Sequence, residues 1–178
     1  MPATFEFQES NGSGPTVTNG VTTCNWKNLD DSATSYTGYP VVAGTNSYDK
    51  WLNGHFSGTY TKIANGVFYH SSGTLALSGV SLMMQPDMTG GSDRLAYATP
   101  SVTANASLTH DATPNDDTGV IVWFSQTGPN GTIGSFASSK TNNPCYTNYL
   151  VTQIQTTLIL TAPGDSGSIN LTLSYDEN

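Results

Sequence analysis

Apolar and polar residues alternate most clearly at the C-terminal end of the chain. Residues 169–175 read Ile-Asn-Leu-Thr-Leu-Ser-Tyr, the period-two pattern of a strand with one buried and one solvent-facing side. Residues 150–161 are apolar and β-branched, and the turn-forming run at 162–167 separates the two stretches. The pattern predicts a long antiparallel hairpin against which the earlier strands pack.

Short strand-like runs separated by turn residues fill most of the remaining chain. In one of them the apolar positions change parity at Gly79, which predicts a β-bulge there. The run 119–124 is apolar on both parities and predicts a central strand. The expected strands are 16–24, 55–62, 66–71, 74–84, 94–99, 101–109, 118–125, 149–161 and 168–175. About nine strands at this spacing predict an all-β fold, an antiparallel β-sandwich of jelly-roll type.

The chain divides into an N-terminal piece and one domain. Residues 1–15 are expected to form an extended N-terminal arm and flexible joint, because an apolar tip precedes a run rich in Gly and Ser. An ordinary first strand with a loose connection is the open alternative. Residues 16–178 are expected to form a single β-sandwich domain. Residues 47–53 are the candidate for a helical turn, with Ser47 as its N-cap.

Charge is scarce in this chain of 178 residues and is mainly negative. Charged residues make up 10% of the sequence, against a usual fraction of about 25%, and the formal net charge is −8. Binding to nucleic acid requires clustered Lys and Arg. The cations here are scattered over Lys27, Lys50, Lys62, Arg94 and Lys140. The balance disfavours nucleic acid as a partner.

The sequence has no basic region followed by an apolar stretch at its start, and no apolar run of about 18 residues. Neither a secretory signal nor a membrane span is predicted. With Met1 as the native start, the chain is expected to fold in a cytoplasm, where Cys24 and Cys145 stay reduced. One disulfide between them is the alternative.

The run Gly164–Ser168 resembles the nucleophile motif of chymotrypsin-like serine proteases. Only residues 169–178 follow it, too few for the strands that complete that fold, and no His lies in the setting which the family requires. A Gly/Asp/Ser hairpin turn explains the run better. No catalytic residue is predicted.

Three histidines and two acidic pairs are the candidate metal ligands. His55, His70 and His110 match no metal-binding spacing. The acidic pairs at 30–31 and 116–117 lack the spacing of a dedicated Ca²⁺ loop, and solvated turn acids are the preferred interpretation. No metal site and no cofactor are predicted.

Aromatic residues are dense between residues 25 and 53, and aromatic side chains serve both as protein interfaces and as platforms for sugars. Packing in the core is the alternative. The long loop 127–144 is a further region in which binding is expected. The candidate partner-binding residues are Phe5, Phe7, Trp26, Trp51 and Tyr146.

Three stretches carry a resemblance to a known class of proteins: Trp26–Asp31 (WKNLDD), Trp51–Phe56 (WLNGHF) and Leu171–Glu177 (LTLSYDE). In them the chain resembles tailed-bacteriophage virion proteins, and most of all the small β-sandwich capsid decoration (cement) proteins. The resemblance implies a non-enzymatic structural protein of the capsid surface, made in the bacterial host cytoplasm. It further implies a homotrimer that binds the major capsid protein over the local three-fold axes of the shell, with no cofactor.

A carbohydrate-binding or host-adhesion β-sandwich module, associated with a tail or fibre, is the alternative function. In that case exposed Trp26, Trp51 or Tyr146 would line a groove together with Asp and Asn side chains. Jelly-roll folds host both functions, so fold class does not decide between them.

Overall fold

The chain folds into β-strands and connecting loops. A computed structural model describes residues 2–60, 63–73, 79–86, 97–104, 108, 110–111, 121–124, 145–147, 149–158 and 168–177. In chain order the strands are β1 (Ala3–Asn11), β2 (Thr16–Asn19), β3 (Lys50–Gly58), β4 (Ile63–Gly73), β5 (Val80–Pro86), β6 (His110–Asp111), β7 (Ile121–Phe124), β8 (Cys145–Tyr146), β9 (Leu150–Thr156) and β10 (Ile169–Glu177). Within these ranges a 3-10 turn at Tyr36–Gly38 is the one helical element.

Two antiparallel sheets contain these strands. The larger sheet has the order β2-β1-β3-β9-β5-β6, and the short β8 pairs with β3 on the same side as β9. The smaller sheet has the order β10-β4-β7. Every pair among the described strands is antiparallel. The predicted all-β, antiparallel fold class is confirmed.

The C-terminal hairpin predicted from the alternation is wrong. β9 lies between β3 and β5 in the larger sheet, whereas β10 pairs with β4 in the smaller one, where Leu173 lies opposite Phe68. Alternation determines which side of a strand is buried, but it does not determine which strand lies beside it. The pattern therefore identified both strands and assigned them the wrong neighbours.

The helical turn expected over residues 47–53 is also wrong, because β3 begins at Lys50. Ser47 does not cap a helix. Its Oγ instead accepts a hydrogen bond from Ile154 N at 3.0 Å. Pairing of β3 with β1 and β9 outweighs the weak local preference for a helix.

The two strands expected between residues 94 and 109 are wrong over the part of that stretch which is described. Polar side chains from elsewhere satisfy this backbone. Asp49 Oδ1 accepts a hydrogen bond from Ser101 N at 2.5 Å, and Gln153 Nε2 donates to Thr103 O at 3.1 Å. The segment is held against the sheet as a loop by these side-chain hydrogen bonds and by Asp49 N, which donates to Ser101 O at 3.1 Å.

The parity change at Gly79 marks a turn and not a bulge. Gly79 has a φ of 81°, which favours glycine, and β5 starts at the next residue. Leu82 and Met84 are then buried on one side of β5, as the alternation predicts. β7 was expected to be central, yet it ends the order of the smaller sheet among the described strands.

The main hydrophobic cluster contains residues of both sheets. Its buried members are Leu52, Phe56, Ile63, Leu82, Met84, Leu150 and Ile154. The Phe56 ring lies 4.8 Å from that of Phe5 on β1 and 4.9 Å from that of Tyr175 on β10, measured between centroids. These aromatic contacts join the smaller sheet to one side of the larger sheet, which we call the inner face.

A second cluster covers the opposite side of the larger sheet, which we call the outer face. Trp51 on β3 and Val151 on β9 are paired across the strands and are buried with Leu108. Tyr97 and Tyr149 pack against them, with ring centroids 5.4 and 5.3 Å from that of Trp51. The centre of β9 is consequently buried on both sides, including its polar residues Thr152 and Gln153.

The N-terminal residues lie inside the larger sheet. β1 pairs with β2 along one edge and with β3 along the other. Phe5 and Phe7 pack against the main cluster, and Ala3 N donates to Glu177 Oε1 at 2.9 Å, which joins the start of β1 to the end of β10. This placement matches the alternative of an ordinary first strand.

A buried ion pair lies at one end of the inner face. Lys50 Nζ is 2.8 Å from Glu9 Oε1, and the side chain of each residue is 1% exposed. By the two-residue period of β3, Lys50 points to the same side as Leu52 and Phe56. Asn11 Nδ2 also donates to Glu9 Oε1, at 2.9 Å. Charged groups this deeply buried are tolerated only when they are paired and hydrogen-bonded.

Removing one member of this pair should destabilise the fold far more than removing both. Lys50→Met leaves the Glu9 carboxylate buried without its cation, and we expect a loss of about 3–5 kcal/mol in the free energy of unfolding. The double variant Lys50→Met/Glu9→Leu removes both charges and should recover most of that loss. Urea denaturation of the two variants measures the difference. A Lys50→Met variant as stable as the parent would contradict this account.

Candidate functional site

Four of the five aromatic residues expected to bind a partner contribute to packing. Phe5, Phe7 and Trp26 are partly buried against the main cluster, and Trp51 is 3% exposed in the second cluster. Tyr146 on β8 is 44% exposed. Core packing, the alternative considered for the aromatic residues between 25 and 53, is therefore what the structure shows for Trp26 and Trp51, and Phe5 and Phe7 pack in the same way from the first strand.

Two lysines organise the strand-free segment between β2 and β3, residues 20–49. Lys27 makes contacts within the segment, and Lys50 of β3 joins it to the sheet. Lys27 is fully buried, and its Nζ lies 2.7 Å from Asp31 Oδ1 and also donates to Thr34 O. Lys50 Nζ, besides pairing with Glu9, donates to Asp31 O at 2.8 Å. The Lys50 contact and a hydrogen bond from Trp26 Nε1 to Thr152 Oγ1, at 3.0 Å, hold the segment over the end of the inner face.

Asp31 is the centre of these polar contacts. Its carboxylate also accepts hydrogen bonds from the backbone N–H of Ala33 and Thr34, at 3.0 and 2.7 Å. Partial burial acts to raise the pKa of Asp31, but hydrogen bonds from Lys27 and Thr34 and the charge of Lys27 hold it well below its usual range. Asp30 binds Asn11 Nδ2 at 2.7 Å and Gly12 N at 2.8 Å. Both acids of this pair are therefore structural anchors.

The sequence interpretation missed this role of the charged residues. It described the cations as scattered, and it considered the acidic pair at 30–31 only as solvated residues or Ca²⁺ ligands. A usable signal was present, because Lys27 and Lys50 each directly adjoin a Trp in a region of few charges. The long side chain of such a lysine either carries its charged end to the solvent or is buried together with a group of opposite charge. Only the folded structure distinguishes the two cases.

Cys24 lies beside the buried ion pair as a free thiol. Burial first, and the Glu9 carboxylate second, raise the pKa of this thiol to about 12, although Lys50 acts in the opposite direction. The thiol is thus protonated at neutral pH and is a poor nucleophile. The side chain of Cys145 belongs to the part of the chain that is not described.

Three exposed aliphatic residues lie on segments that meet at residues 42–46. They are Val42 itself, Val102, whose O contacts Asn46, and Leu158, which contacts Gly44, and we call them the Val42 patch. Their exposed fractions are 60%, 39% and 86%. Leu158 covers Gly44 so closely that a Cβ there would lie 2.5 Å from Leu158 Cδ2. Asn46 Nδ2 donates to Val102 O at 3.2 Å. Exposed aliphatic residues grouped in this way are typical of a binding surface.

Hydrogen bonds to the end of β9 make the base of the Val42 patch rigid. Thr156 Oγ1 contacts both Val42 O and Thr45 O, and Thr45 N donates to Val42 O at 2.9 Å. The Val42 patch is therefore fixed to the larger sheet by strand-terminal contacts, and its apolar side chains are presented from an ordered turn.

A polar row crosses the outer face at the other end of β3, and we call it the Tyr146 face. Its members are Glu6 on β1, His55 on β3 and Tyr146 on β8, which lie directly opposite one another in the strand pairing. The rings of His55 and Tyr146 are stacked, with centroids 4.8 Å apart and planes inclined by 13°. His55 Nδ1 lies 2.6 Å from Glu6 Oε1.

A second polar row lies beside the Tyr146 face, two residues along each strand. Asn53 Nδ2 donates to Gln8 Oε1 at 3.1 Å, and Gln8 Nε2 donates to Asn19 Oδ1 at 2.8 Å. The two-residue spacing places both rows on the outer face. Each side chain is held by a neighbour, so the surface is ordered before any ligand binds.

The remaining sequence candidates lie mostly outside the described residues. The loop 127–144 and the Gly-Asp-Ser-Gly part of the predicted turn, 164–167, are among them, as are the side chains of His70 and His110. No group of three or more His, Cys, Asp or Glu residues is arranged to hold a metal within the described ranges. Within the same ranges, no helix is long and apolar enough to cross a membrane.

Comparisons with known proteins gave no match. No protein-family model, no curated protein and no solved structure is significantly similar to the chain.

Replacing Asp31 by Asn should change how stability depends on acid pH. A carboxyl group whose pKa is lowered by folding stabilises the protein above its unfolded pKa of about 3.9 and loses that effect as the pH falls through the folded value. We expect the parent's free energy of unfolding to decrease from about pH 4 downward, and the Asp31→Asn variant to show a shallower decrease. At neutral pH the variant should lose about 1–3 kcal/mol, because a hydrogen bond to charged Lys27 is weakened.

Urea denaturation at several pH values measures this effect. Asp176→Asn, which removes one negative charge from an exposed residue of β10 outside the Lys27–Asp31 contacts, is the comparison for a change in net charge alone. If the free energy of unfolding decreases equally at acid pH for Asp31→Asn and the parent, Asp31 does not contribute to the pH dependence.

Proposed function

We propose that the protein is a non-enzymatic virion structural protein that binds the outer surface of a phage capsid as a decoration protein. The observation that supports a binding function is the Val42 patch, which presents apolar side chains from a rigid base. The resemblance of Trp26–Asp31, Trp51–Phe56 and Leu171–Glu177 to decoration proteins supports the major capsid protein as the partner.

The chemistry of the Val42 patch favours a protein partner. It contains aliphatic side chains and the uncharged Thr45 and Asn46, and such surfaces are stabilised chiefly by the removal of apolar area from water. The two lysines of the described residues, Lys27 and Lys50, are buried in ion pairs and have no free charge to offer to phosphate groups.

The finer architecture belongs to the same proposal. Contacts of Tyr175 on β10 with Phe5 and Phe56 support a packing of the smaller sheet on the larger one as a β-sandwich of about nine strands, of jelly-roll type. As a homotrimer, the protein would bind only the assembled shell. It would therefore stabilise that state by mass action, since a ligand that binds one state shifts the equilibrium toward it.

The double variant Val42→Asp/Leu158→Asp should lose capsid binding. Charges placed in an apolar contact must be desolvated without a partner, and we expect affinity to fall at least about tenfold, or about 1.4 kcal/mol. Co-sedimentation with shells assembled from the major capsid protein of the same phage measures the binding.

Val17→Asp is the matched control, because Val17 is a 50% exposed valine on β2, away from the Val42 patch. It makes the same kind of change and should leave binding intact. Undiminished binding by the double variant would refute the Val42 patch as the contact surface. A parent chain that ignores the shells would refute the decoration function itself.

A carbohydrate-binding or host-adhesion module is the second candidate function. It is favoured by Tyr146, the one aromatic residue of the sequence-derived set that is well exposed, and by the polar rows beside it.

A further inference from the structure

We propose that the Tyr146 face is a binding site for a neutral hexopyranose unit of a glycan. The proposal deepens the second candidate function and is independent of capsid binding. β9 pairs with β3 at Lys50–Leu52 and runs from there toward Leu158, whereas Tyr146 pairs with His55 in the opposite direction along β3. The Val42 patch and the Tyr146 face therefore lie at opposite ends of the larger sheet.

Tyr146 supplies the apolar part of the site. One face of its ring is covered by His55, and the residue is nevertheless 44% exposed, which leaves a large part of the side chain open to a ligand. A pyranose ring has an apolar face of axial C–H groups and a rim of hydroxyl groups. It can place the C–H face against an aromatic ring while its hydroxyls reach polar atoms beside the ring.

The polar rows supply acceptors for those hydroxyl groups. Glu6 uses Oε1 to bind His55, and Asn53 uses Nδ2 to bind Gln8. Glu6 Oε2 and Asn53 Oδ1 have no hydrogen-bond partner among the described residues, and both residues are only half-buried. Because these side chains are already fixed by their neighbours, a ligand that binds them pays little conformational entropy.

His55 is a positioning residue in this site. Its Nε2 is buried and has no partner among the described residues, so a sugar cannot reach it while Tyr146 covers the ring. Its contributions are to stack against Tyr146 and, through Nδ1, to hold Glu6. The imidazole therefore sets the distance between the aromatic platform and the acceptor.

The negative charge of the Tyr146 face favours a neutral ligand over an acidic one. The Tyr146 face contains the carboxylate of Glu6, and neither of the two described lysines lies on it, since both are buried at the other end of β3. A sialylated or phosphorylated sugar would bring a negative charge to a site that offers acceptors. A neutral sugar donates its hydroxyl protons to the same atoms at no electrostatic cost.

The test is a titration of the full ¹⁵N-labelled chain with maltohexaose, cellohexaose and a galactohexaose, and with sialyllactose as the acidic counterpart. At least one neutral hexaose should shift the amide resonances of Glu6, His55 and Tyr146, with those around Val42 unchanged. Tyr146→Ala should weaken that binding at least about tenfold, whereas Tyr146→Phe, which keeps the ring, should retain most of it. Tyr36→Ala removes a tyrosine of similar exposure, 48%, and should have no effect.

His55→Ala distinguishes positioning from simple loss of folding. It should weaken sugar binding while the far-ultraviolet circular dichroism and the shifts of residues near Val42 remain those of the parent. His55→Phe, which restores an aromatic partner for Tyr146, should recover part of the affinity.

Several outcomes would overturn the proposal. The first is that no neutral hexaose at about 10 mM shifts the amide resonance of Tyr146, which corresponds to a Kd well above 1 mM. The second is that sialyllactose binds as tightly as the neutral hexaoses. The third is that Tyr146→Ala binds the sugar as tightly as the parent. Movement of these resonances by capsid shells alone would identify the face as a protein contact. Capsid binding that survives Tyr146→Ala, together with absent sugar binding, would refute this site and leave the decoration function standing.

Discussion

The buried pair between Glu9 and Lys50 is the interaction on which the rest of this structure depends. It lies on the inner face of the larger sheet, where neighbouring strand positions carry Leu52 and Phe56. Two charges cannot remain there unless each is matched and hydrogen-bonded. The pair accordingly requires β1 and β3 to be adjacent in one register, and it requires a cover that excludes water from this end of the core.

The segment between β2 and β3 is that cover. Its main-chain path is determined by Lys27 and Asp31, and Lys50 reaches the same point from the sheet through Asp31 O. A few charged groups, among them the buried Glu9, Lys27 and Lys50, thus order a stretch of chain that has no strand of its own. Farther along the same segment, hydrogen bonds from Thr156 fix the turn that presents Val42.

Two surfaces with different chemistry follow from this construction. The Val42 patch is aliphatic and suits the face of another protein. The Tyr146 face is polar, contains one exposed ring and suits a sugar. Because the two surfaces lie at opposite ends of the larger sheet, the two proposed ligands, a capsid shell and a glycan, would not compete for one site. Variants in each surface separate these proposals experimentally.

The sequence by itself determined the all-β, antiparallel class, because a two-residue period and dense turn residues depend only on neighbours along the chain. It also placed most of the strands, and it identified Tyr146 as a candidate contact. Strand partners, the role of the first strand and the burial of Trp51 were decided by tertiary structure. The alternation of apolar and polar residues along a strand is the same whichever strand lies beside it. The buried partner of Lys50 cannot be identified from the sequence, because Glu9 lies on a different strand that is distant along the chain.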